Sequence, residues 1–234
     1  MRSGDIKKEL QKVSDKKKAK LLQGFFKTGP GEYADGDIFA GINVPTLRAF
    51  AKKYQNLPFN ETLRLLKSRI HEERLLALLI LILKYRKACL KEKEKICRAY
   101  LNHSRYINNW DLVDVTAKHI VGDYLYDKNR RKLYELARSD SLWERRIAIL
   151  STFYFIEKGD HKDTLSIAKM LLSDGHDLIH KAVGWMLREV GKRDIGAEED
   201  FLNKYHGRMP RTMLRYAIER FPESKRLRYL RMDK

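Results

Sequence analysis

Seven consecutive residues, Asn108-Asn109-Trp110-Asp111-Leu112-Val113-Asp114, set an indole and two carboxylates on the first turns of a helix in a chain that is otherwise strongly basic. A carboxylate held beside an aromatic face is suited to a developing cation, since the carboxylate supplies fixed charge and the ring a cation–π attraction. The two acids are not equivalent. With Asn108 as the N-cap, Asp111 takes the third helical position, where it faces the positive end of the helix macrodipole, so local helix stability accounts for it. Asp114 lies one turn further on and shares a face with Trp110 through the i, i+4 relation. Asp114 is therefore the candidate for chemistry and Trp110 its partner.

The surroundings point to a polyanion. Lysine and arginine number 49 against 31 acidic residues, a net charge of +18, well beyond what solubility requires. Nucleic acid is the first partner this suggests, and an anionic membrane the second. The N-terminus, with Lys7, Lys8 and Lys16 to Lys18, has no apolar signal core, and the longest apolar run, 75–83, is too short to span a bilayer, so a cytosolic protein without membrane association is expected. Cys89 and Cys97 have neither a disulfide nor a zinc spacing and are read as packing residues. No GxxxxGK[ST], GxGxxG or HExxH pattern occurs, so no cofactor and no metal are assigned. The glycine-rich segment 28–44 is read as a plain connection, with a loop that touches a ligand as the alternative.

The elements that must position these residues are helices. Ile6, Leu10 and Val13 share one helical face, and after Ser14 as N-cap a second helix carries Leu21, Leu22, Phe25 and Phe26. Pro45 opens a third through Leu47, Phe50 and Tyr54. From 58 onward helical patterns cover 60–67, 72–85, 91–101, 110–125, 130–138, 142–156, 163–172, 178–190, 198–205, 211–220 and 223–230, with no convincing strand. Glu72-Glu73-Arg74-Leu75-Leu76-Ala77-Leu78 parallels Glu144-Arg145-Arg146-Ile147-Ala148-Ile149-Leu150, and further steps of about 35 reach Lys181 and Arg215. The same period falls on Trp110, so one repeat alone replaces a basic residue by the aromatic. Stacked helix pairs predict an all-α, right-handed α-solenoid, a single domain over 1–234, whose inner helices align Arg74, Trp110, Arg146, Lys181 and Arg215 on one concave face, with Asp114 and Trp185 a turn further on.

Trp110-Asp111-Leu112-Val113-Asp114, Leu142-Trp143-Glu144-Arg145-Arg146 with Ala148-Ile149-Leu150, and Lys181-Ala182-Val183-Gly184-Trp185-Met186-Leu187-Arg188-Glu189 resemble, in that order, three blocks of the DNA alkylation-repair glycosylases built from HEAT-like repeats, the AlkD family. The resemblance spans about 45–220 and is firm over 108–189. It implies excision of positively charged N-alkylated purines such as 3-methyladenine and 7-methylguanine from double-stranded DNA, by a monofunctional glycosylase that needs no cofactor. It further implies Asp114 as the catalytic carboxylate, Trp110 and Trp185 as aromatic walls beside the sugar, and Arg146 as the phosphate-side partner. Arg74, Arg145, Lys181, Arg188 and Arg215 are expected to contact DNA, and the protein is expected to act as a monomer. Trp143, absent from the inner row, is expected in the core. The rival readings are a non-catalytic module for bent or branched DNA and a scaffold for an acidic protein partner.

Overall fold

The fold is organised around a helix that is buried on every side. In the computed structural model, which describes residues 2–231, two compact units divide the chain, Met1–Thr116 and Ala117–Lys234. The first contains α1 (Ser3–Lys12), α2 (Lys16–Phe25), α3 (Val44–Lys53), α4 (Phe59–Leu66), α5 (His71–Lys87), α6 (Leu90–Asn102) and α7 (Trp110–Asp114). The helices α3 and α4 both pack on α5, which α6 and α7 also touch. Its apolar run, Leu75 to Ile82, leaves no polar stripe for solvent, the pattern of a helix enclosed by neighbours.

The second unit holds a π-helical turn (Lys118–Gly122), α8 (Asp123–Leu125), α9 (Arg131–Ala137), α10 (Leu142–Ser151), α11 (Phe153–Glu157), α12 (Lys162–Met170), α13 (Asp177–Gly191), α14 (Ile195–Tyr205), α15 (Arg211–Ala217) and α16 (Glu223–Arg231). Here α10 packs on α9 and α13, and α13 on α14 and α15. The chain is an all-α solenoid of helical repeats, and the helices lie where the 3.6-residue patterning predicts them. The described residues form no strand, only an isolated bridge between Ile38 and Ile70, and no helix among them is long and apolar enough to cross a membrane.

Three local expectations are corrected. The α2 cap is Asp15, whose carboxylate accepts from the Lys17 and Lys18 amides at 2.9 and 3.1 Å, while the Ser14 hydroxyl turns back to the Gln11 carbonyl. The α7 cap is Asn109, not Asn108, and its side chain accepts from the Trp110 amide at 2.8 Å. Cys89 is exposed at the start of α6 and only Cys97 packs in the core, where burial pushes its thiol up to about 12.

The glycine-rich segment is far more than a connection. Its Ala34, Asp37, Phe39, Gly41 and Ile42 are buried, and the amides of Ala40, Gly41 and Ile42 all donate to the Glu72 carboxylate, at 2.8, 2.8 and 3.2 Å. Gly41 has a positive φ of 78°, and a Cβ there would meet the Asp15 carbonyl oxygen at 2.1 Å, so glycine is required twice over.

Gly184 marks a comparable close approach in the second unit, since a Cβ would stand 2.4 Å from the Met213 carbonyl oxygen and 2.6 Å from the Tyr216 Cβ. Gly184→Ala is expected to prise α13 from α15 and to lower the unfolding free energy by about 1–3 kcal/mol, the range of an overpacked core. Urea unfolding followed by circular dichroism measures it, and an unchanged midpoint would contradict this packing.

Candidate active site

Trp110 and Asp114 lie one turn apart on α7, a helix of only five residues, and both side chains are half-buried. The helix ends because the Thr116 hydroxyl folds back on the Leu112 carbonyl at 2.5 Å, a bond that competes with the backbone ladder and bends helices. The wholly buried Tyr100 hydroxyl meets the same Thr116 hydroxyl at 2.7 Å, which ties this end of α7 to α6. Burial first, and the nearby negative charge of Asp114 in small part, push the Tyr100 phenol far up, so it stays neutral at any working pH.

The other end of α7 is held by charge. Asp111, assigned above only to the macrodipole, accepts from His71 Nε2 at 2.8 Å, and the opposite ring nitrogen, Nδ1, faces Asp37 at 3.0 Å. Asp37 also takes the Arg74 guanidinium on both oxygens, at 2.7 and 2.8 Å, and Arg74 Nη1 donates to the carbonyls of Ser68 and Arg69. Ionised carboxylates only accept, so a ring that bonds both is an imidazolium donating from each nitrogen. Burial alone would pull the His71 pKa down, but the hydrogen bonds from Asp111 and Asp37, with their charges, carry it up to about 9. Burial likewise would raise the Asp37 carboxyl, yet His71 and Arg74 hold it below the usual carboxylate range.

Aromatic rings seal this network. Phe39 stacks on the His71 ring at 4.3 Å, Phe26 lies between Phe39 and Trp110 at 4.9 and 5.1 Å, and Phe25 meets the Trp110 edge at 6.0 Å. A cavity of about 360 Å³ opens beside them, lined among others by Leu21, Phe25, Phe26, Phe39, His71 and Asp111.

In the second unit Trp185 is half-buried on α13, its indole N–H directed at Glu189 Oε1 at 3.2 Å and its ring edge against Phe153, which Lys118 covers at 4.5 Å. Arg146, on α10, is only 4% exposed and donates to the Leu178 carbonyl. Lys181 pairs with Asp177 at 2.7 Å, Arg188 with Glu219, and Arg215 is exposed. Trp143 is buried, as expected. His176 and His180 stand four residues apart, but His180 Nε2 is engaged by the Asp174 carbonyl and His176 Nδ1 accepts from the Leu178 amide.

The repeat register differs by one residue from the sequence alignment. Arg145 donates to the carbonyls of Ser139 and Asp140, six and five residues before it, as Arg74 does to Ser68 and Arg69, and each serine hydroxyl accepts an amide two residues on. Arg74 therefore corresponds to Arg145, not Arg146, and Arg145 is likewise spent on a carboxylate, Asp174 at 2.6 Å. At 3% exposure and with Nη2 given to Asp37 and Nη1 to two carbonyls, Arg74 is committed to the interior, which corrects the expectation that it reaches DNA. Sequence reasoning missed His71, Asp37 and the Phe26–Phe39 stack. The available signal was His71-Glu72-Glu73-Arg74, four ionisable residues leading directly into an all-round apolar helix.

The raised His71 pKa sets a pH dependence of stability. The folded protein holds this proton more tightly than the unfolded chain, so the contribution is complete below about pH 6.5 and is lost as pH rises through about 9. Urea midpoints measured between pH 6 and 9.5 are expected to fall for the wild type and to fall less for His71→Gln; parallel curves would refute the bridging imidazolium.

Comparison with known proteins agrees with this architecture. No curated protein matches the sequence. A solved structure described as a predicted DNA alkylation repair enzyme from Enterococcus faecalis is similar in fold, with a TM-score of 0.69 over 90% of this chain and 97% of that one, at 17% identity. Residues 6–221, nearly the whole chain, match the family described as DNA alkylation repair enzyme, and the chain belongs to that family.

Proposed function

We propose that the protein is a DNA glycosylase that hydrolyses the N-glycosidic bond of positively charged N-alkylpurines, 3-methyladenine and 7-methylguanine among them, in duplex DNA. The observation that carries this reading is the pairing of Trp110 and Asp114 on a five-residue helix fastened at both ends, in a chain of net charge +18. An alkylated purine cation is already a good leaving group and needs no general acid. The C1′–N bond breaks with its electron pair returning to the base, and the sugar gains oxocarbenium character. The Asp114 carboxylate stabilises that charge and orients the water that attacks C1′ and then loses its proton. The indole faces of Trp110 and Trp185 add cation–π attraction, on the order of 0.5–2 kcal/mol each according to desolvation. Arg146, 4% exposed and donating to the Leu178 carbonyl, is buried like Arg74, and the phosphate contact expected of it is not part of this reading.

Purified protein incubated with methylated duplex DNA, with the released bases identified, decides between this reading and a binding module; intact DNA after prolonged incubation would exclude excision. Asp114→Asn is expected to lower single-turnover release of 7-methylguanine roughly 10²-fold or more while duplex affinity stays level or rises slightly, because a repulsive carboxylate has gone. Full activity in this variant would remove Asp114 from the mechanism. Affinity for unmodified duplex is expected to fall steeply with salt, and Lys181→Ala or Arg215→Ala to reduce the slope of log K against log salt by about one contact. A flat salt response would mean that the basic residues do not bind phosphate.

A further inference from the structure

We infer that His71 is a positioning residue for the excision reaction, acting at a distance by clamping Asp111 and so fixing the turn that carries Trp110 and Asp114. The inference rests on the glycosylase reading above for its kinetic consequence, but its structural content can be measured separately. His71 lies at the start of α5 and touches neither Asp114 nor the exposed side of Trp110. What it does is join three segments: Asp37 from the glycine-rich segment, Arg74 from its own helix through Asp37, and Asp111 from the first turn of α7. Its backbone amide adds a further tie, to the Ile38 carbonyl at 2.8 Å.

The charges are balanced, two cations against two carboxylates, and the cavity beside them is also lined by Lys18, exposed and paired with Asp15, and by Glu72, whose carboxylate accepts three backbone amides. Loss of the imidazolium leaves Asp111 Oδ2 without the His71 donor while Oδ1 keeps the Leu112 amide, so the half-buried carboxylate turns toward water and shifts the first turn of α7 with it. The restraint on Trp110 then falls to its aromatic contacts, Phe26 on one face and Phe25 at the edge. A five-residue helix has only a short ladder, with the Val113 amide on the Asn109 carbonyl at 3.3 Å and the Val115 amide on the Asp111 carbonyl at 3.2 Å, which is why a bond made three residues before Asp114 matters to Asp114. Misplacement of reacting groups by about 1 Å is enough for losses of order 10²-fold in rate.

The test uses the full chain and two variants, His71→Gln and Asp111→Ala, of which the second removes only the α7 arm and leaves the His71–Asp37 bond. In both, the Trp110 indole N–H resonance, assigned by its absence in Trp110→Phe, is expected to shift, and single-turnover release of 7-methylguanine to fall roughly 10- to 100-fold at unchanged duplex affinity. The double variant is expected to be no slower than the slower single one. Wild-type release is expected to fall with a single ionisation near pH 9 that is absent from His71→Gln. A Trp110 resonance unmoved in Asp111→Ala, or wild-type rates in either variant, overturns the positioning role. A wild type that releases no base at any pH sinks the glycosylase reading instead, while the resonance still decides whether His71 holds Trp110.

Discussion

An imidazolium bonded at both nitrogens to carboxylates is the interaction on which the first unit depends. Buried charges are costly singly, and removal of one partner from a buried pair typically destabilises by about 3–5 kcal/mol because the other is left uncompensated. Asp37, His71, Arg74 and Asp111 form a neutral set in which each member satisfies the next, so the glycine-rich segment, the start of α5 and the start of α7 stand or fall together. The same economy explains the neighbouring Glu72, whose carboxylate replaces a strand partner for three consecutive amides of that segment.

The consequence for chemistry is preorganisation. Electrostatic stabilisation of a transition state is effective when the charge is already in place and need not reorganise. A five-residue helix would fray if left alone, but α7 is bonded to α5 through Asp111 at its start and to α6 through Thr116 and Tyr100 at its end. The helical pattern that continues to 125 resumes through a π turn, the kind of local irregularity that accompanies functional positions. The helix is thus short and fastened at both ends, through Asp111 and through Thr116.

The basic composition divides into two populations with different work. Arg74, Arg145 and Arg130 are folded into the repeats, where planar guanidinium forks bridge carbonyls and carboxylates of adjoining turns, as with Arg130 between Asp160 and Asp163. The lysines of α2 and the arginines of α16, by contrast, are largely at the surface, and it is these that keep the net charge available to a polyanion.

Helix positions, the absence of strands, the approximate 35-residue period and the isolation of Trp110 and Asp114 were all legible in the residues, because apolar periodicity and i, i+4 spacing are local properties of the chain. Burial of Trp143 followed from its place off the repeated row. The role of Asp111 was not legible, since a carboxylate in the first turn of a helix is stabilised locally whether or not a distant cation reaches it, and His71 stands 40 residues away. Nor was the repeat register, because Arg145 and Arg146 are both arginine and only the turn carbonyls that Arg145 meets show which one matches Arg74. Sequence alone determined which helices form and marked Asp114 as the candidate carboxylate; tertiary packing decided which charges are spent inside the fold, because that depends on partners brought together across tens of residues.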